Sequence, residues 1–363
     1  MALIFKRSSL IVQVADLLRV EVLNGVWSKW IPSEREISRR LHVSRNTCRA
    51  ALRILRKEKA IESVPGRGSH VNRSIVHNKR GAGQITRTVG VIIPQTVNLL
   101  RPETAISIDE LRDELFDLNV RLDLHDSASC YTTNSGHVLE KLVERNHHAC
   151  WILLVSQQSM QTWMMKHKVP CVVLGSTYPG INLPSVDYDC RAICRHAAGQ
   201  FIARGHKRLV FLNRRRRAAG DLESEVGFLE GANASRRPEI EARVVYHDDS
   251  GESVSRLIRT MFADPARAPT GLLVANSYCY LSVTSTLARL GLRAPDDFSL
   301  ISRNDDEFLS YLDPEPARYT SMRRDILRKV MTQVRLCLDG GASSAGPARL
   351  TPRFIAGGSI GSR

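Results

Sequence analysis

Four arginines, at positions 45, 49, 53 and 56, recur on one face of a helical repeat directly behind Ser44. A row of guanidinium groups supplies fixed positive charge and forked donors, the chemistry that grips a polyanion. Arg45, Asn46, Thr47 and Arg49 gather at the leading end of that repeat, where side chains reach base edges. Arg53 and Arg56, farther along, suit phosphates. A second set of polar residues lies beyond residue 88: Gln95, Ser156, Asn276 and the run Asn304-Asp305-Asp306 each follow a short apolar stretch. These side chains offer hydrogen bonds without a nucleophile paired to a base, so they suit holding a small polar molecule.

The arginine row needs a helix with an apolar back. Cys48, Ala51, Leu52 and Leu55 provide it, and Ser44 is an N-cap for a helix running to about Glu58. Upstream, Leu10, Val14, Leu17, Leu18 and Val22 predict an amphipathic helix over 9–23, stopped by Asn24-Gly25. Pro32-Ser33-Glu34-Arg35-Glu36 reads as a capping box opening a short helix that buries Ile37 and Leu41. Downstream, Ile61–Val64 and Ser69-His70-Val71 flank Pro65-Gly66-Arg67-Gly68, a hairpin whose glycines let the backbone approach a narrow groove with Arg67 at the tip.

Charge agrees with this placement. Of 52 Lys and Arg against 37 Asp and Glu, residues 1–80 hold 17 and 6, a net of +11, whereas the remaining 283 residues carry only +4. Concentrated positive charge releases counterions from nucleic acid; a solvated face or a membrane-surface helix is the plainer alternative.

Residues 9–72 resemble the GntR-type winged helix, on Pro32–Glu36, Val43–Leu52, Gly66-Arg67-Gly68 and Val71. The resemblance implies a winged helix-turn-helix in which Arg35, Ser44, Arg45, Thr47, Arg49, Gly66 and Gly68 face DNA. One stretch departs from the pattern: Trp27-Ser28-Lys29-Trp30-Ile31 stands where the family usually reads Pro-Pro-Gly.

The expected division is a head at 1–75, a basic glycine-containing linker at 76–87 and a large domain at 88–363. In the last, short apolar strands (Val89–Ile93, Val120–Leu124, Trp151–Val155, Cys171–Leu174, Leu209–Leu212, Val244–Tyr246, Gly271–Ala275, Ser299–Ile301) alternate with helical patterns at 108–118, 191–204, 226–234, 254–262 and 281–290. This predicts two doubly wound α/β lobes with parallel sheets, with a closed barrel as the alternative. Ligands of such sheets sit beyond the carboxyl ends of the strands, where Gln95, Ser156, Asn276, Asp305 and Asp306 fall.

The large domain also resembles the effector-binding domain of LacI/GalR regulators, which shares its fold with periplasmic sugar-binding proteins. The matching residues include Val89–Pro94, Val186–Asp189, Gly205–Leu209, Gly227–Gly231, Leu273–Asn276, Gly291–Ile301 and Asn304–Asp306. The resemblance implies inter-lobe ligand contacts at Asn276 and at Asp305 or Asp306. It also implies a DNA-binding regulator, a repressor, that dimerises and answers to a sugar or polyol. Two positions depart: Ser277 replaces an aspartate, and Ser224 an arginine that often binds hydroxyls.

Other chemistry finds little support. There is no nucleophile elbow, Walker loop or paired His–carboxylate metal spacing, so neither an enzyme, a cofactor nor a metal is expected. The eight cysteines contain no Cys-x-x-Cys and read as reduced thiols of a cytoplasmic protein. His147-His148 reads as a surface pair; Arg214–Arg217 reads as a solvated loop, with an anion site as the alternative. No apolar run has the roughly 18–20 residues needed to span a bilayer. Two further readings stay open. One is a regulator whose cleft has lost its ligand; the other is an enzyme with a DNA-binding head, which the lysine-poor large domain argues against.

Overall fold

A computed structural model describes residues 10–23, 27, 30–41, 43–58, 60–64, 68–71, 87–97, 100–340 and 346–363. The chain forms two compact units, Met1–Thr86 and Arg87–Arg363. The stretch expected as a linker lies outside the described residues as far as residue 86, and Arg87 already begins a strand.

In the first unit α1 (Leu10–Leu23), α2 (Glu34–Arg40) and α3 (Arg45–Lys57) precede an antiparallel pair, β1 (Ile61–Val64) and β2 (Gly68–Val71). Val14, Leu18, Val22, Ile37, Cys48, Leu52 and Leu55 meet in one core. Leu17 does not join it and is 45% exposed, because it lies about 100° around the helix axis from Leu18. Trp27 fills the core beneath Arg40, while Trp30 bridges to His70 of β2. The two tryptophans of the departing stretch thus fasten the connection to the core and to the wing strand.

The second unit holds two six-stranded sheets. One has the order β13-β7-β6-β5-β3-β4 and is wholly parallel: β3 Arg87–Ile93, β4 Val120–Asp126, β5 Cys150–Leu154, β6 Cys171–Leu174, β7 Ser185–Tyr188 and β13 Ala348–Leu350. The other has the order β14-β12-β11-β10-β8-β9: β8 Arg208–Arg214, β9 Glu241–His247, β10 Gly271–Val274, β11 Ser299–Ser302, β12 Ala317–Tyr319 and β14 Phe354–Ile355. It is parallel except for β14. Two open sheets dispose of the barrel.

Helices α4 (Pro102–Phe116), α5 (Gly136–Arg145), α6 (Gln158–Lys166) and α11 (Arg323–Leu338) cover the first sheet; α7 (Cys190–Ala203), α8 (Ala219–Asn233), α9 (Gly251–Met261) and α10 (Ser277–Arg289) cover the second. The chain therefore passes between lobes after β7, after β12 and after β13. These are among the elements the sequence hid: β7, β12 and β13 are short and partly polar, β14 has only two residues, and α11 alternates apolar residues with arginines. Gly227 and Gly231 seat α8 against α7, where a Cβ would lie 2.1 and 2.5 Å from the carbonyl oxygens of Arg191 and Arg195.

All eight cysteines are free thiols. No helix among the described residues is long and apolar enough to cross a membrane. The expected surface histidine pair is split: His147 is exposed, whereas half-buried His148 bonds to Thr88 Oγ1 and to His125 Nε2, both at 2.7 Å.

Candidate nucleic-acid face and inter-lobe cavity

Ser44 caps α3 by accepting the Thr47 N–H at 3.1 Å, and Ser33 caps α2 by accepting that of Glu36 at 3.3 Å. These caps fix where α3 begins and so where its first turn points. Arg35, Arg45, Asn46, Arg49 and Arg53 are all exposed, and Thr47 is half-buried with its hydroxyl on Ser44 Oγ. Arg35, Arg45 and Arg53 have no ion-pair partner among the described residues. Arg49 is held by Glu34 of α2, Nε at 3.1 Å and Nη2 at 3.0 Å. Arg56 is instead half-buried and donates to Ser69 Oγ of β2 at 3.1 Å, tying the helix to the wing strand. Gly68 has φ +99°, a conformation open to glycine; Gly66 and Arg67 lie outside the described residues.

In the second unit a cavity of about 300 Å³ lies at the carboxyl ends of both sheets. The first lobe contributes Ser156 after β5, Ser176 after β6, Asp187 on β7, and Arg101 and Glu103 at the start of α4. The second contributes Arg214 at the end of β8, Asp221 on α8, and Arg303, Asn304 and Asp305 after β11. Val155, between β5 and Ser156, has φ 48°. A β-branched residue in that region is strained, and here the strain marks the turn that brings Ser156 to the wall.

Asp221 is the hub. Its Oδ2 accepts Arg214 Nε at 2.7 Å and the Ala218 N–H at 3.0 Å, and its Oδ1 accepts Arg303 Nη2 at 3.0 Å. Burial alone pushes this carboxyl up, but the Arg303 and Arg214 charges outweigh it and the pKa falls below the usual value. Arg303 also donates through Nη1 to Ser224 Oγ at 2.7 Å. Ser224, which stands where the pattern has an arginine, is thus met by the guanidinium of Arg303 just past β11. Asp187 accepts from Ser176 Oγ at 2.7 Å and the Tyr188 N–H at 2.8 Å, and burial raises its pKa. Burial likewise drives the Cys190 thiol far above its ordinary range.

Of the residues expected at a ligand site, the structure brings Ser156 and Asp305 to the wall, with Asn304. Gln95, Asn276 and Asp306 stand outside the lining. Gln95 is exposed beyond β3. Asn276 is occupied as the N-cap of α10, its Oδ1 accepting the Tyr278 N–H at 2.8 Å. Asp306 is buried, accepts from Ser277 Oγ and pairs with Arg101 at 2.5 Å across the lobes. Tyr178 Oη makes a second inter-lobe bond, donating to the Arg217 carbonyl at 3.1 Å. The arginine run divides too: Arg214 faces the cavity, Arg215 and Arg216 face solvent, and Arg217 pairs with Glu225 under Tyr246. Sequence reasoning missed Asp187, Asp221 and Arg303 as wall residues. Only Arg303 carried a signal, its place beside Asn304 just past β11. No group of three or more His, Cys, Asp or Glu side chains among the described residues is placed to hold a metal ion.

Comparison with known proteins identifies both units as parts of a transcriptional regulator. Residues 10–71 match the bacterial regulatory proteins of the gntR family, and residues 198–360 match the periplasmic binding protein-like domain. Catabolite control protein A of Priestia megaterium is 24% identical over 247 residues, 64% of this chain and 70% of that protein. Among solved structures, the transcription regulator CcpA of Lactococcus lactis aligns with a TM-score of 0.65 at 18% identity, covering 76% of this chain and 99% of that one. A LacI family regulator from Enterococcus faecium with bound ribose aligns at 0.62 and 18%, covering 76% and 100%. The chain thus joins a GntR winged helix to a periplasmic-binding-protein-like domain of the fold found in LacI-family regulators.

Proposed function

We propose that the protein is a cytoplasmic repressor that binds a near-palindromic operator as a homodimer and is controlled by a sugar or polyol held between its lobes. Arg45, Asn46, Thr47 and Arg49 read bases from the start of α3, Ser44 and Arg35 hold the backbone, and Gly66, Arg67 and Gly68 enter the adjoining minor groove. One winged helix covers one half-site, so two copies are needed for tight binding.

The observation that carries this reading is the cavity walled by both lobes, which are also bonded to one another through Arg101–Asp306 and Tyr178–Arg217. Its volume is at the lower end for small-molecule sites, about 300–1,000 Å³, which suits one monosaccharide; the ribose in the Enterococcus neighbour supports a ligand of that size. Ser156, Asn304 and Asp305 bind hydroxyls. Closure around the ligand shifts the spacing of the two heads, a coupling of about 1–3 kcal/mol.

The test is selection of bound duplex from a random pool by the full-length protein, with and without a panel of sugars and polyols. An inverted repeat whose occupancy changes with one compound is expected. Absence of any enriched sequence would overturn the reading. So would an enriched sequence indifferent to every compound.

A further inference from the structure

Resting on that reading of the cavity, the arginines of the second lobe narrow the ligand's chemistry. Arg214 and Arg303 share a single carboxylate, Asp221, which is only 4% exposed. Arg214 uses Nε for that contact, and its two terminal nitrogens have no partner among the described residues although the side chain lines the cavity. The positive end of the α8 dipole adds to the same corner, since Ala218 and Gly220 also line it.

Elsewhere on the wall the cations are matched by carboxylates: Arg101 has Asp306 at 2.5 Å and Glu103 at 3.7 Å, and Arg323 has Glu110 at 2.8 Å. Asp305 is matched by Arg318 at 2.8 Å. Asp187 faces the α8 end, its Oδ2 lying 3.0 Å from where a Gly220 Cβ would stand. Its oxygens are already taken by Ser176 Oγ and the Tyr188 N–H. At the β8–α8–β11 corner the free edge of Arg214 therefore faces the cavity, beside an Arg303 whose nitrogens are all bonded.

We propose that the ligand is a monosaccharide-sized polyhydroxylated acid, whose carboxylate or phosphate lies on the free edge of Arg214 beside Arg303. Its hydroxyls face Asp305, Asn304 and Ser156. A planar fork meets either anion with two parallel donors, which a neutral hydroxyl cannot match.

Titration calorimetry of the full-length protein tests this with matched probes: D-glucuronate, D-gluconate and D-glucose 6-phosphate against D-glucose, and D-ribose 5-phosphate against D-ribose. At least one acid is expected to bind about tenfold or more tightly than its neutral parent. The carboxylate and phosphate arms then show which anion the corner takes. In Arg214→Gln this preference should collapse, and in Arg214→Lys, which keeps the charge, much of it should return, with melting temperatures confirming that both variants fold. Neutral sugars binding as tightly as their acids, no acid binding at all, or a preference surviving in Arg214→Gln would each overturn the proposal. The wider reading fails differently. A neutral sugar that binds and alters operator occupancy leaves ligand control standing without the anion. An acid that binds selectively but leaves occupancy unchanged keeps the anion site and removes the control.

Discussion

Arginines stand out in both units, under opposite physical conditions. On α3 Arg45 and Arg53 are exposed and carry no ion pair among the described residues, so their charge is available to whatever approaches and is screened by salt. In the cavity Arg303 is 15% exposed, bonded to Asp221 and Ser224, and its pKa is pushed upward: burial lowers it, and the neighbouring Asp221 more than compensates. The first arrangement favours adaptable electrostatic attraction to a long polyanion. The second favours one small shape, because moving any member leaves a charge unpaired in a low-dielectric pocket.

The largest effect should follow from breaking the buried arrangement. Asp221→Ala strands two guanidiniums, and the large domain should lose about 3–5 kcal/mol of stability, measurable by urea unfolding. A loss below about 1 kcal/mol would mean that water already screens the network as it does a surface pair.

Next, Arg45→Ala should weaken specific operator binding by about 1–3 kcal/mol and relax the base preference at one position of each half-site. Equal loss on random duplex would reassign Arg45 to the phosphates. A smaller change is expected from Arg53→Ala: a uniform loss across sequences, with the slope of log affinity against log salt reduced by about one. An unchanged slope would take Arg53 off the backbone.

The smallest effect concerns pH and belongs to the large domain. Burial lowers the pKa of His125, His148, His196, His206 and His247. With folded values below the unfolded value of about 6.5, the unfolded chain takes up more protons in that interval. Their stabilising contribution is thus complete above about pH 6.5 and is lost as pH falls through the folded values. Thermal melts from pH 8 to 5 should show this decline, and His247→Gln should flatten it. A melting temperature that rises on acidification would contradict the sign.

Most of the architecture was legible because periodicity reports burial. The stripe Cys48, Ala51, Leu52 and Leu55, the caps Ser33 and Ser44, and the apolar runs at β3, β5, β6 and β10 announce their own conformations locally. Short polar strands such as β7 and β12 do not, since the neighbouring strands and the crossing between lobes hold them in place. Even a correct helix was misread at Leu17, where apolar character and burial part company.

What the sequence determined by itself was the pair of modules, the apolar faces that fold them and the concentration of charge in the head, all set by neighbours a few residues apart. Which polar groups meet was decided only by the tertiary structure. Asn276 and Asp306 follow strands as ligand residues would, yet one caps a helix and the other bridges the lobes. Arg303 and Ser224, 79 positions apart, become hydrogen-bond partners. A buried donor must find an acceptor, and packing α8 on the second sheet brings the available one from a distant stretch of chain.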